Sequence, residues 1–208
     1  MGAETVAARG ERTRDQIIQV ARQLFVQQGY HGTSMRQIAR QAGIALGGVY
    51  NHFSSKEDVF KAVFLENHPY HQVLPALLEA QGESIEELVA NASLQVEEVV
   101  HNRPDFLHLM FIEIVEFKSA HARELFTQLF PQIIELGQHI TRANQGRLKA
   151  IPFPILARSF IGMFFAYYLT EAIFSGVAPA EFQQGAMKYM NEIFLYGILL
   201  DPMTAETP

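Results

Sequence analysis

Gly32-Thr33-Ser34-Met35-Arg36-Gln37-Ile38-Ala39-Arg40-Gln41-Ala42-Gly43-Ile44, followed after Ala45-Leu46-Gly47-Gly48 by Val49-Tyr50-Asn51-His52-Phe53-Ser54-Ser55-Lys56-Glu57, is the stretch whose spacing decides the fold. Ser34 with Gln37 has the form of a capping box and opens a short helix through Gln41. Ala42-Gly43-Ile44 then turns the chain into a second short helix, about Ala45 to Asn51, and Ser54 with Glu57 opens a third. Two short helices around a glycine turn have the form of a helix-turn-helix, although many packed helical hairpins share it. Ile38, Ala39, Val49 and Phe53 are apolar at helical spacing and should pack on Leu24 and Phe25 of a preceding helix. That preceding helix is expected to start at Thr13, which forms a further capping box with Gln16, and to end at Gly29.

Outward from this stretch, apolar residues recur at three- and four-residue intervals in block after block, and strand signals are weak, so the chain reads as all-α with about nine helices. Ser84 with Glu87 opens a helix to about Asn102, which Arg103-Pro104 breaks. Asp105 to Ser119 follows, apolar on nearly all sides. His121 to Asn144 is another long helix, kinked or restarted at Pro131. The last two run from about Pro154 to Phe174 and from about Pro179 to Leu200. The expected organisation is a small helix-turn-helix domain at 1–60 and a larger helical domain at 61–208.

The chain has 208 residues, 49% hydrophobic and 18% charged, enough to bury a sizeable core and too apolar for general disorder. With no cysteine it excludes disulfide frameworks, thiolate catalysis and Cys-based metal sites. Its histidines show no metal-ligand spacing, so neither a metal nor a cofactor is expected. The start Met1-Gly2-Ala3-Glu4 carries no apolar run of a secretory signal, and the apolar stretch Ser159 to Thr170 is shorter than the roughly 20 residues a membrane span needs. A soluble cytoplasmic protein without a membrane partner is therefore expected.

A formal net charge of −6 argues at first against nucleic acid, but the total conceals an asymmetry. Residues 1–56 hold seven bases and three acids, a net +4, whereas residues 57–208 hold nine and nineteen, a net −10. The basic part is the part with the helix-turn-helix, where a local excess of cations suits phosphate.

The quoted stretch, over about Arg12 to Phe64, resembles the N-terminal domain of the TetR/AcrR family of transcriptional regulators. The resemblance implies a three-helix reader of an operator palindrome, joined to an all-helical domain that binds a small effector and dimerises. It also implies roles for particular residues. Thr33 and Ser34 lie at a helix N-terminus, where they cap the helix, hold a phosphate, or do both. Arg36 matches a position that reaches a base edge, with an exposed arginine on a solvated face as the other reading. Tyr50, His52 and Lys56 match positions that contact the DNA backbone, and Asn51 lies among them; for His52 capping or packing is the alternative. Where relatives place hydroxyl residues, this chain has Ala45-Leu46-Gly47-Gly48, so its recognition helix should be soft. Leu46 is expected to meet a thymine methyl, and Gly47 and Gly48 to admit the DNA backbone closely.

In the second domain the helix through Phe164 and Tyr168 carries Glu171 as its one carboxylate, and an earlier helix sets His108 beside Phe111. These five are the candidates for an effector pocket, with ordinary core packing or an exposed helix-end carboxylate as the alternatives. Abundant phenylalanine and methionine favour a hydrophobic or amphipathic effector. Phe182, Ala186, Tyr189, Ile193 and Tyr196 share one face of the last helix and are expected at a homodimer interface. The function expected is a ligand-responsive regulator, a repressor released from double-stranded operator DNA by its effector. The alternative is an apolar-ligand carrier or sensor whose helix-turn-helix is structural. No enzyme motif is present.

Overall fold

A computed structural model describes residues 5–79, 84–103, 105–144, 146–174, 176–177, 179, 181 and 184–199. It is all helical: α1 (Val6–Gly32), α2 (Met35–Gln41), α3 (Leu46–Tyr50), α4 (Lys56–Asn67), α5 (Tyr70–Glu79), α6 (Ile85–His101), α7 (Phe106–Glu116), α8 (Ala120–Ala143), α9 (Phe153–Phe174) and α10 (Ala186–Ile198). Among the described residues the only extended pairing is an isolated bridge between Leu148 and Leu199.

Several boundaries differ from expectation for identifiable reasons. Helix α1 starts at Val6 because Thr5 caps it, accepting from the Ala8 N–H at 3.3 Å. Thr13 lies inside the helix and donates its hydroxyl back to the Arg9 carbonyl at 2.9 Å, the local bond that threonine makes within helices. Gly29 does break the helix, at φ 74° and ψ 176°, but one more turn follows to Gly32. The cap of α4 is Ser55, which accepts from the Asp58 N–H at 3.0 Å, rather than Ser54, whose hydroxyl instead donates to the Asp58 carboxylate. That Ser54 bond is the largest cause holding the Asp58 carboxyl below its ordinary range. Helix α5 is an element beyond those expected, α8 continues through Pro131, and α10 begins only at Ala186, after Gly185 at φ 72°. Helix α9 is 22 residues long, so the argument that its apolar stretch is too short to span a bilayer does not hold; by length and composition alone it could.

Packing divides the chain into two compact units, residues up to His68 with Arg103–Gln128, and Pro69–Asn102 with Leu129 onward. The expected border at residue 60 falls within α4. In the first unit Ile17, Ile18, Ala21, Leu24 and Phe25 of α1 are buried together with Ile38 and Ala39 of α2, Val49 of α3 and Val59, Phe60, Val63 and Phe64 of α4. Phe60 meets Phe25 edge-on at 5.4 Å and stacks with Phe117 at 4.7 Å. In the second unit Ile85, Val89 and Ile198 form one cluster, and Val96, Phe164 and Met187 another.

The first unit also buries a carboxylate. Glu113 of α7 is wholly inaccessible and accepts from the backbone N–H groups of His121 (2.8 Å) and Ala122 (3.0 Å) at the start of α8. Its second oxygen lies 2.8 Å from His121 Nδ1. A carboxylate thus caps the positive end of a helix on which it does not lie. The corner between the two helices is tight enough to hold Lys118 at φ 52° and Ser119 at φ 61°. Truncating Glu113 to Ala should cost about 3 kcal/mol or more, since it leaves two helix N–H groups and the buried Nδ1 of His121 without their partner. Urea denaturation checks this, and a loss below about 1 kcal/mol would contradict the capping role.

Candidate nucleic-acid interface

Helices α2 and α3 hang between two fixed ends. At the first, α1 finishes with the Thr33 hydroxyl donating to the Gly29 carbonyl at 2.9 Å and the Thr33 N–H donating to the Tyr30 carbonyl at 3.2 Å. At the second, the Lys56 ammonium donates to the carbonyls of Tyr30 (2.7 Å) and Thr33 (2.8 Å) and lies 4.1 Å from the centre of the Tyr30 ring. Burial is the main influence on this group and lowers the Lys56 pKa, with the Glu116 carboxylate opposing. The Tyr30 phenol is pushed up by burial first, then by Glu57 and Glu116. Thr33 and Lys56 are therefore already committed inside the protein. Tyr30, which the sequence did not single out, receives the cation; an aromatic lying between two glycines was the one signal for it.

Between these ends the reader takes its shape from short-range bonds. Ser34 accepts from the Gln37 N–H at 3.3 Å and donates to Gln37 Oε1 at 2.7 Å. After α2, Gly43 at φ 65° donates to the Arg40 carbonyl (3.3 Å) and Ile44 donates to the Ala39 carbonyl (3.1 Å), the paired bonds of a Schellman motif. Gln16 Nε2 of α1 ties the turn from outside, donating to the Ala42 carbonyl at 2.9 Å. Ala45 then starts α3 with no side-chain cap. Val49 is the buried anchor of this five-residue helix, while Gly47, Tyr50 and Asn51 face solvent and Leu46, Gly48 and His52 are half-buried. A Cβ at Gly47 would meet nothing within 4 Å, and one at Gly48 only the Ile44 side chain at 3.7 Å or more. Neither glycine is demanded by packing among the described residues.

The basic residues sort into two groups. Arg14 pairs with Glu66 at 2.6 Å and Arg22 with Asp105 at 3.0 Å, so both brace the unit internally. Arg36 and Arg40 of α2 and Arg9 of α1 are exposed, with no ion-pair partner among the described residues.

The effector candidates fall in both compact units. His108 and Phe111 belong to the first and are exposed there. In the second, Phe164 is buried and Tyr168 is packed beside it, its hydroxyl donating to the Glu97 carbonyl at 3.1 Å. Burial, followed by Glu97 and Tyr167, pushes the Tyr168 phenol far up. Glu171 is half-buried and near enough to Tyr167 to raise that phenol, after burial and Glu97. An open groove of about 350 Å³ lies among Ile134, Gly137, Gln138, Thr141, Arg142 and Phe153, none of them a sequence candidate. Phe153 lies so close over Gly137 that a Cβ there would overlap the ring. On α10, Tyr189, Ile193 and Tyr196 form an exposed apolar stripe, with Ile193 71% and Tyr196 82% accessible, and Ala186 half-buried at its start. Phe182 lies outside the described residues.

Residues 17–63 match the family described as bacterial regulatory proteins, tetR family. The chain is 31% identical to the HTH-type transcriptional regulator SrpR of Pseudomonas putida, over 58% of this chain and 65% of that protein's length, just under two thirds of it. It is 32% identical to the uncharacterized HTH-type transcriptional regulator TtgW, also of Pseudomonas putida, over 49% of this chain and 90% of TtgW. Its fold is similar to that of NalD, the secondary repressor of the MexAB-OprM multidrug efflux pump in Pseudomonas aeruginosa, with a TM-score of 0.68 at 20% identity, over 92% of this chain and 99% of NalD.

The contacts of Lys56 make it a structural cation. Lys56→Gln should lower stability by about 1–2 kcal/mol, because charge-assisted bonds to two helix-end carbonyls are lost. Ala45→Ser should raise stability by about 1 kcal/mol by supplying the absent cap. Thermal denaturation of both variants checks the pair; an unchanged melting temperature for Lys56→Gln would remove the role of the clamp.

Proposed function

The chain belongs to the TetR family of bacterial transcriptional regulators, and from that premise we propose that it is a dimeric repressor released from its operator by a hydrophobic or amphipathic small molecule. The division of labour follows the sequence, with the reader in residues 1–60 and effector binding and dimerisation in 61–208. A regulator of this kind works in the cytoplasm, where the DNA is.

The observation that carries the proposal is the arrangement of α2 and α3. Their apolar side, Ile38, Ala39 and Val49, is spent on the core, while Arg36, Tyr50 and Asn51 are exposed, with no side-chain hydrogen bond among the described residues. Arg36 suits the acceptor edge of guanine, and Ser34, Tyr50, Asn51 and His52 suit phosphate oxygens. Thr33 and Lys56 serve the DNA indirectly by fixing both ends of the reader. Leu46 and the bare edge of Gly47 and Gly48 suit an approach close enough for apolar and backbone contact.

One recognition helix reads few bases, so two are needed, and the α10 stripe of exposed Tyr189, Ile193 and Tyr196 with half-buried Ala186 is apolar and suited to a second copy. Phe164, Tyr168 and Glu171 on α9 supply an aromatic wall with one carboxylate for the effector, and His108 and Phe111 on α7 add to the candidates. The effector must prefer the released state by its coupling free energy if it is to induce.

The uncapped, glycine-bearing α3 favours one rival, an apolar-ligand carrier with a structural helix-turn-helix. Electrophoretic mobility shift with the DNA flanking its own gene decides between them: the regulator gives salt-sensitive, sequence-dependent binding that Arg36→Ala with Tyr50→Ala abolishes, the carrier none. Gly47→Ala should raise the stability of the reader by about 0.5–1 kcal/mol yet weaken operator binding, because the methyl group occupies the line of approach. Ile193→Asp with Tyr196→Asp should give a monomer by light scattering, and a variant that remained dimeric would move the interface elsewhere.

A further inference from the structure

We infer that Arg9 of α1 and Arg40 of α2 form a second phosphate-contacting flank beside the recognition helix, which rests on the DNA-binding function proposed above and extends it to residues outside the helix-turn-helix positions already assigned. From Gln16 to Lys56 the chain contains no carboxylate, so the reader offers a surface with no internal counter-charge. Within it the hydrogen bond from Gln16 to the Ala42 carbonyl, at 2.9 Å, fixes α1 against the end of α2.

Arg9, Arg12 and Gln16 recur at three- and four-residue spacing and so share one stripe of α1. Arg12 and Arg9 lie roughly 6 Å and 10 Å along the helix from Gln16, at 1.5 Å per residue. Arg40 stands two positions before Ala42, one helical turn after Arg36 on the same side of α2. The Gln16 bond thus fixes one end of the Arg9 stripe against the end of α2, the helix that carries Arg40 on its exposed side. Glu11 and Asp15, the acids of this part of α1, fall outside the Arg9 stripe by helical rotation. Arg9 and Arg40 are both exposed, and neither has an ion-pair partner among the described residues. Arg14 and Arg22, on other sides of α1, are each occupied by a carboxylate. The partner this surface fits is the sugar–phosphate backbone next to the bases read by α3. Such contacts add affinity without sequence preference and appear as counterion release.

The test measures binding of the full chain by fluorescence anisotropy across about 50–300 mM potassium chloride, on two duplexes of equal length. One carries the DNA flanking its own gene and the other a random sequence. Arg9→Gln and Arg40→Gln should each reduce the slope of log affinity against log salt by about 1, equally on both duplexes. Arg142→Gln, which removes an exposed cation of α8 in the other compact unit, should leave the slope unchanged. Circular dichroism melts coinciding with the parent establish that each variant is folded. If the parent binds and both arginine variants keep its slope, the flank is overturned while the proposed function stands. Equal slope losses in all three variants would overturn it as a bulk charge effect, and absence of salt-sensitive binding by the parent would overturn both.

Discussion

The ammonium of Lys56, between the carbonyls of Tyr30 and Thr33, closes residues 34–55 into a loop whose two ends one side chain ties together. Everything in α2 and α3 that could read DNA lies inside that loop. Without the bond the Thr33 carbonyl at the end of α1 would lose its partner, leaving the Phe25–Phe60 contact to hold α4 against α1. The clamp therefore does for the reader what loop closure does for any short segment, removing alternative arrangements before a ligand arrives. It also explains how a five-residue, uncapped helix keeps a defined position. Helix α3 is anchored by Val49 and by its two ends, not by its own helical propensity.

Much of this was legible in the sequence, and what was legible is local. The Ser34 and Ser84 caps, the Gly43 turn and the buried Ile38, Ala39, Val49 and Phe53 depend on neighbours a few residues away, and each was readable from spacing. Thr13 misled because a threonine three positions before a glutamine has the same spelling inside a helix as at its start. Which of Ser54 and Ser55 caps α4 was likewise a choice between adjacent hydroxyls. What spacing could not supply is long-range. Lys56 matched a backbone-contacting position by sequence, but its burial against Tyr30 depends on a fold that brings residues 30 and 56 together. Glu113 is a helix cap that spacing did not single out, and only the α7–α8 corner reveals the N–H groups it satisfies.

Glu113 and Lys56 are two versions of one solution. Each places a charge where helix-end backbone groups need a partner and where water is scarce, so the charge is stabilised by the dipole end it caps. The two sites are linked within the first unit. His121, which faces Glu113 through Nδ1, lies 3.8 Å from Glu57 through Nε2, and Glu57 follows Lys56 at the start of α4. The phenol of Tyr30 feels Glu57 and Glu116 together. His31 at the end of α1 is 2.6 Å from Glu116 of α7. The end of α1, the start of α4 and the α7–α8 corner thus share a connected set of polar contacts around Tyr30 and Lys56.

The same sorting changes what the net charge means. A count of +4 over residues 1–56 treats all seven bases alike, yet Arg14, Arg22 and Lys56 are occupied by Glu66, Asp105 and two backbone carbonyls. Their charges hold the fold and are partly cancelled where they stand. The exposed cations Arg9, Arg36 and Arg40 lie on α1 and α2 rather than on α3, which carries no charge at all. In the proposed regulator, a helix of Leu46, Gly47, Gly48, Val49 and Tyr50 carries no charge of its own, so long-range attraction to DNA would rest on neighbouring cations. The two glycines of α3 sit between fixed ends, so its position depends on Val49 and the clamp more than on helical propensity.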